Sequence, residues 1–228
     1  MPIFTSAEYM AILLSLKVSV VATLVSLPFG FAVAYLMTYR RFRGRVALDV
    51  AVNLPLTLPP VVIGYILLLL LGQKGFIGQH LLQPLGITLI FTWKAAVIAT
   101  AVVGFPLMVR SIRLGMESVD ERLIQAARTL GAGWLDTIVT VIIPLSFRGI
   151  VAGSALMFAR GLGEFGATIV VAGNIPGVTQ TIPLAIYEYT SSPDGDRMAL
   201  ALCLVSILLS VVVLLLHEYL NRRIAKAD

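Results

Sequence analysis

Five long stretches of this chain are almost free of charge, and they limit its fold more than any other feature. They are Val18–Met37, Val50–Gly72, Leu89–Val109, Ile150–Val171 and Met198–Leu216. Crossing about 30 Å of hydrocarbon takes ~20 apolar residues, so each run is long enough to be a membrane span. Inside lipid every backbone N–H and C=O must be paired within the segment, which makes such spans helices. Only 13% of the 228 residues are charged, against about 25% in a soluble domain. The expected fold class is therefore an all-α polytopic membrane protein with about five transmembrane helices. The first span is expected to begin earlier, from about Tyr9. A sixth element stays open, since Phe76–Leu85 or Ile182–Tyr187 could dip into the bilayer.

The basic residues then orient the chain. A net charge of +5 and a pI of 9.6 would suit nucleic acid if the cations formed one patch, but they gather at the ends of apolar runs. Arg40, Arg41, Arg43 and Arg45 follow the first span. Arg110, Arg113, Arg122, Arg128 and Arg148 lie between the third and fourth, and Arg222, Arg223 and Lys226 follow the fifth. The other side holds only Lys74, Lys94 and Arg197. Twelve against three puts the N-terminus outside and the C-terminus in the cytoplasm under the positive-inside rule. Lys17, inside the first apolar segment, is expected to snorkel to the outer interface or to pack inward. The N-terminus lacks a basic leader region, so a cleaved signal peptide is not expected.

The long cytoplasmic connection carries helix punctuation. Ser118-Val119-Asp120-Glu121 fits a capping box, with Ser118 as N-cap and Glu121 reaching back. Val119, Leu123, Ala127 and Leu130 follow at spacings of three and four, which predicts one apolar stripe. Gly131 stands where a left-handed residue would end that helix. A second amphipathic piece carries Trp134, Leu135, Ile138, Val139 and Ile142 and is expected to stop at Pro144. The expectation is helix, glycine turn and helix along the inner membrane surface. Either a protein partner or lipid could cover its apolar side.

Within the spans, several residues break the pattern of plain lipid-facing helix. Pro55, Pro59 and Pro60 each remove a backbone donor. Gly104-Phe105-Pro106 suggests a second irregularity in span three. Irregular backbone at membrane depth survives only against protein or a water-filled cavity. Gly161, Gly163 and Gly166 allow close helix approach. Arg160 and Glu164, four residues apart, are expected on one helical face. A lone charge at the bilayer centre costs ~2.5–3.5 kcal/mol on insertion scales, so they read either as a structural ion pair or as groups that meet a transiting anion. Gly173-Asn174-Ile175-Pro176-Gly177 and Thr179-Gln180-Thr181 read as an external turn whose N–H groups could face an anion, or as a purely structural turn.

Other chemistries find no support. The chain has no P-loop pattern, so ATP would not bind here that way. His80 and His217 are far apart and Cys203 is the single cysteine, so neither metal-ligand spacing nor a disulfide within the chain is available. Nucleophile-elbow and dinucleotide fingerprints are missing too. Five spans are few to enclose a path and no internal repeat is evident, which favours a homodimer with the pore on its two-fold axis.

Gln125-Ala126-Ala127, then Gly131-Ala132, then Ile143-Pro144 resemble the loop by which bacterial ABC importer permeases grip their ATPase subunits. Gln125 departs from the usual Glu, keeping length and hydrogen bonding but losing charge. Leu54–Tyr65, Phe105–Arg110, Ala159–Ala167 and Gly173–Gly177 are similar to segments of molybdate permeases within that class. The resemblance implies a type I ABC importer permease architecture, a single permease domain over residues 1–228 and a coupling loop at about 112–146. It implies import of molybdate, with tungstate or sulfate as alternative cargo. It also implies two copies of this chain, two ATPase subunits binding ATP and Mg2+, and an external oxyanion-binding protein. The setting would be a bacterial cytoplasmic membrane, with no cofactor or catalytic residue in this chain. The docking residues would be Gln125, Ala126, Ala127, Gly131 and Ala132. Candidate pathway or gate residues are Pro59, Pro60, Phe105, Arg160, Glu164, Asn174, Thr179 and Gln180. The rival from another class is a proton-coupled secondary transporter using Arg160 and Glu164 as a relay, disfavoured by the missing inverted repeat.

Overall fold

The computed structural model describes residues 4–225, with side chains for all of these except Leu81 and residues 220–225. The expected inner-face cations Arg222, Arg223 and Lys226 fall outside the described side chains. The described residues contain helices and no strand. In order they are α1 (Ser6–Tyr39), α2 (Arg45–Thr57), α3 (Pro60–Leu71), α4 (Trp93–Glu117), α5 (Glu121–Thr129), α6 (Trp134–Thr137), α7 (Ile143–Leu162), α8 (Gly166–Val171), α9 (Ile182–Thr190) and α10 (Asp196–Ala225). Short π-helical stretches occupy Gly78–Leu82 and Ile138–Ile142. The second one joins α6 to α7.

Among the described residues, four helices are long and apolar enough to cross a membrane: α1, α4, the continuous run Trp134–Leu162, and α10 over Asp196–Tyr219. The second expected span, Val50–Gly72, is different. Its two halves, α2 and α3, meet at a bend of 115°. The break falls at Leu58–Pro59, where neither Pro59 nor Pro60 can donate to the helical ladder. Pro60 instead opens α3, where a missing N–H costs nothing.

Packing centres on α4, which lies against α1, α7 and α8. Lipid tails are as apolar as leucine, so close contact between helices must come from shape, and small residues supply it. Gly115 and Gly149 face each other where α4 crosses α7. A Cβ on Gly115 would stand 2.8 Å from the Gly149 Cα. Further along the same seam Gly153 meets the Met108 backbone and Gly104 meets Met157. The buried face of α1 is likewise small, with Ala11, Ser15, Ser19, Ala22, Ser26, Gly30 and Ala34 at helical spacing. A second, smaller cluster joins Ala11 of α1 to Ile182 and Ala185 of α9 and Leu202 of α10. Lys17 packs over the Trp93 ring at the start of α4, 3.9 Å from its centroid.

Several expectations are corrected. The helix around Pro144 does not stop there. The π-helical stretch before it, closed by Ile143 N–H to the Ile138 carbonyl, widens the ladder and relieves the clash that proline makes with a carbonyl four residues back. Trp134–Ile142 is thus the first part of the third long helix and not a separate helix on the membrane surface. That helix ends at Leu162, earlier than Val171. Gly104-Phe105-Pro106 causes no break, since α4 runs through it.

Candidate functional site

The α5 loop is built on its caps. Asp120, not Ser118, is the N-cap: its carboxylate accepts from Arg122 N–H at 2.9 Å. Ser118 is committed to α4, donating to the Gly115 carbonyl at 2.7 Å. At the other end Gly131 has φ +91°. Its N–H donates to the Arg128 carbonyl and Ala132 N–H donates to that of Ala127, both at 3.0 Å. This is a Schellman ending, and its left-handed residue is the glycine.

The expected apolar stripe divides. Val119 is buried and Ala127 half-buried, while Leu123 is exposed and Leu130 is 89% exposed. Ile124, which the spacing argument passed over, is the α5 side chain that faces inward. Gln125, Ala126 and Gly131 are exposed and Ala132 is half-buried. With Trp134, Leu135 and Val139 also exposed, the loop presents an apolar surface.

Two tyrosines missed in the sequence hold this loop to α1. Trp134 Nε1 donates to the Tyr35 hydroxyl at 2.8 Å, and the Tyr39 hydroxyl donates to the Met116 carbonyl at 2.9 Å. The available signal was Tyr-x-x-x-Tyr at the end of an uncharged span, where aromatic residues anchor helices.

A second constellation lies where two helix breaks meet. Gly166, opening α8, lies against Pro60, opening α3: a Cβ on the glycine would approach Pro60 Cβ to 2.9 Å. One turn on, Gly64 abuts Ala167, 2.8 Å from its carbonyl oxygen by the same measure. Arg160 Nη2 lies 2.7 Å from Glu164 Oε2. Because α7 ends at Leu162, the pair does not share a helical face; it bridges the end of α7 to the Gly163–Phe165 break. Glu164 is 2% exposed, and its Oε1 accepts from Ala167 N–H at 2.8 Å. One carboxylate therefore neutralises Arg160 and caps the α8 start, where a negative charge also suits the helix dipole. Pro59 is exposed beside this junction, whereas Phe105 sits half-buried on α4 against Gly30 of α1.

The turn after α8 faces inward more than expected. Thr179 and Gln180 are buried. Ile175 N–H donates to Thr179 Oγ1 at 3.1 Å, and the N–H groups of Val178, Thr179 and Gln180 all donate to the Ile175 carbonyl. Those donors are spent within the turn and do not face an oxyanion. Asn174 and Gln180 both donate to Glu188 Oε2, at 2.9 and 2.5 Å, tying the turn to α9. Tyr189, also on α9, donates to the buried Glu8 of α1. Burial and then the Glu8 carboxylate push the Tyr189 phenol up to about 12.

Known proteins share both the sequence and the fold. The chain is 52% identical over 220 residues to the molybdenum transport system permease protein ModB of Escherichia coli (strain K12), covering 96% of each chain. It is 49% identical to the protein of the same name from Haemophilus influenzae, again covering 96% of each. A solved bacterial alginate ABC transporter, in complex with an alginate pentasaccharide-bound periplasmic protein, superposes with a TM-score of 0.78 at 17% identity. That match covers 97% of this chain and 81% of that one. The family described as the binding-protein-dependent transport system inner membrane component matches residues 26–226, and the chain belongs to that family.

Proposed function

We propose that this chain is the membrane-spanning subunit of an ATP-driven importer that carries molybdate into the cytoplasm. The observation that carries the reading is the 52% identity to a molybdenum transport permease over nearly the whole of both chains. Residues 1–228 act as one permease domain, and two copies form the path. The α5 loop supports the ATPase assignment: it offers Leu123 and Leu130 beside a fixed Schellman turn, an apolar, pre-shaped surface that a partner can cover. Two ATPase subunits bind there and hold the ATP and Mg2+, and an external binding protein delivers the oxyanion. The excess of basic residues on the connections bearing Arg40–Arg45 and α5 puts that side in the cytoplasm. Arg160, already neutralised by Glu164, serves as a structural ion pair at the break, since a bare cation there would hold an oxyanion too tightly to release it.

The test is uptake into proteoliposomes holding the permease, its ATPase and the binding protein. Molybdate should accumulate only with ATP on the ATPase side and the binding protein opposite, with little direct effect of a protonophore. Tungstate and sulfate as competitors read selectivity. Uptake by this chain alone, driven by a pH gradient, would overturn the proposal in favour of proton coupling.

A further inference from the structure

The α5 loop has two roots, and one face of α1 holds both. Tyr35 and Tyr39 are one turn apart in α1, so their side chains lie together, with ring centroids 5.3 Å apart. Tyr39 bonds to Met116, where the chain leaves α4 for the loop. Tyr35 bonds to Trp134, where the chain returns, and the two rings meet edge to face at 6.2 Å.

Between these roots α5 is thinly backed. Ile124 is its one buried side chain. A cavity of about 170 Å3 separates Glu121, Gln125 and Arg128 from Tyr35, Tyr39 and Ile142. Ile124 joins the main core cluster with Ile138 and Ile142, so displacement of α5 reaches the bundle through that side chain and through the two roots. Both roots sit on long helices: Met116 near the end of α4, and Trp134 at the start of the run to Leu162, which ends beside the Arg160–Glu164 ion pair.

We propose that Tyr35 clamps α1 to Trp134, so that α1 and the α6–α7 helix shift as one body when the α5 loop is displaced. Tyr35 is then a positioning residue for coupling, acting through α1 without touching cargo or ATPase. The inference rests on the ATPase-docking reading above. It adds the route by which the motion leaves the loop.

The test is Tyr35→Phe, which removes one oxygen and keeps the ring. In proteoliposomes with the ATPase and the binding protein, two quantities are read: ATPase co-purification, and ATP hydrolysed per molybdate imported. Co-purification should match wild type while ATP used per molybdate rises several-fold. Trp134→Phe removes the same hydrogen bond from the other side and covers the case of a poorly produced Tyr35 variant; because Trp134 also lies on the exposed loop surface, only ATP hydrolysed per molybdate is read for it. The double variant should be no worse than either single one, as expected for two partners in one contact. A wild-type ratio in Tyr35→Phe, additive losses in the double variant, or loss of ATPase binding in Tyr35→Phe would each overturn the clamp. Failure of the wild-type complex to import with ATP would instead defeat the docking reading itself.

Discussion

Gly131 shows what one backbone angle can decide. Its φ of +91° suits glycine, and other residues there cost roughly 1–2 kcal/mol. A Cβ at this position would meet nothing within 4 Å, so the cost of substitution is conformational and not steric. Asn visits the left-handed region more readily than β-branched residues. Gly131→Asn should therefore retain more ATPase co-purification and uptake than Gly131→Val. Equal loss in both would mean that the partner fills the space over Gly131. The glycine was legible because a helix stripe ended just before it. The N-cap was not: Ser118 and Asp120 are both good caps, and only the Ser118 bond to Gly115 shows that the serine serves the helix before.

Among elements, the paired breaks carry the clearest consequence. Gly166→Val would drive side-chain atoms into Pro60, whose Cβ is already 2.9 Å from a single added carbon. Overpacking of this kind typically costs ~1–3 kcal/mol. The variant should lose uptake while the α5 loop, which is not part of this junction, still binds the ATPase; loss of both would indicate general misfolding. Existence and order of the long helices could be read from hydropathy, and so could the irregularity at Pro59 and Pro60. Their bend of 115° could not, because it depends on Gly64 and Gly166 being brought to the same place. Nor could the continuity through Pro144, since a π-helical stretch over Ile138–Ile142 leaves no composition signal. Arg160 and Glu164 were correctly paired by spacing, but the end of α7 between them was hidden by the apolar residues on both sides.

For the whole molecule, orientation is the property with the widest reach. The proposed arrangement puts the Gly173–Gly177 turn outside. Gln180 is 6% exposed and so is a poor reporter, but Ile175 and Val178 on the same turn are exposed. Cysteine at either position, with Cys203 replaced by serine, should react with membrane-impermeant thiol reagents from outside intact cells. Labelling only after the membrane is opened would reverse the topology.

The meeting of Pro60 with Gly166 also bears on biogenesis. A growing chain emerges N-terminus first, so α2 and α3 reach the membrane long before Gly166 and Ala167 have been synthesised. Until then the start of α3 lacks the packing that Gly166 and Ala167 give to Pro60, Val61 and Gly64, and the helix break stands without that support. The bent pair is thus a late-maturing part of an early segment. Chains that stall before α8 should leave it as a target for membrane quality-control proteases.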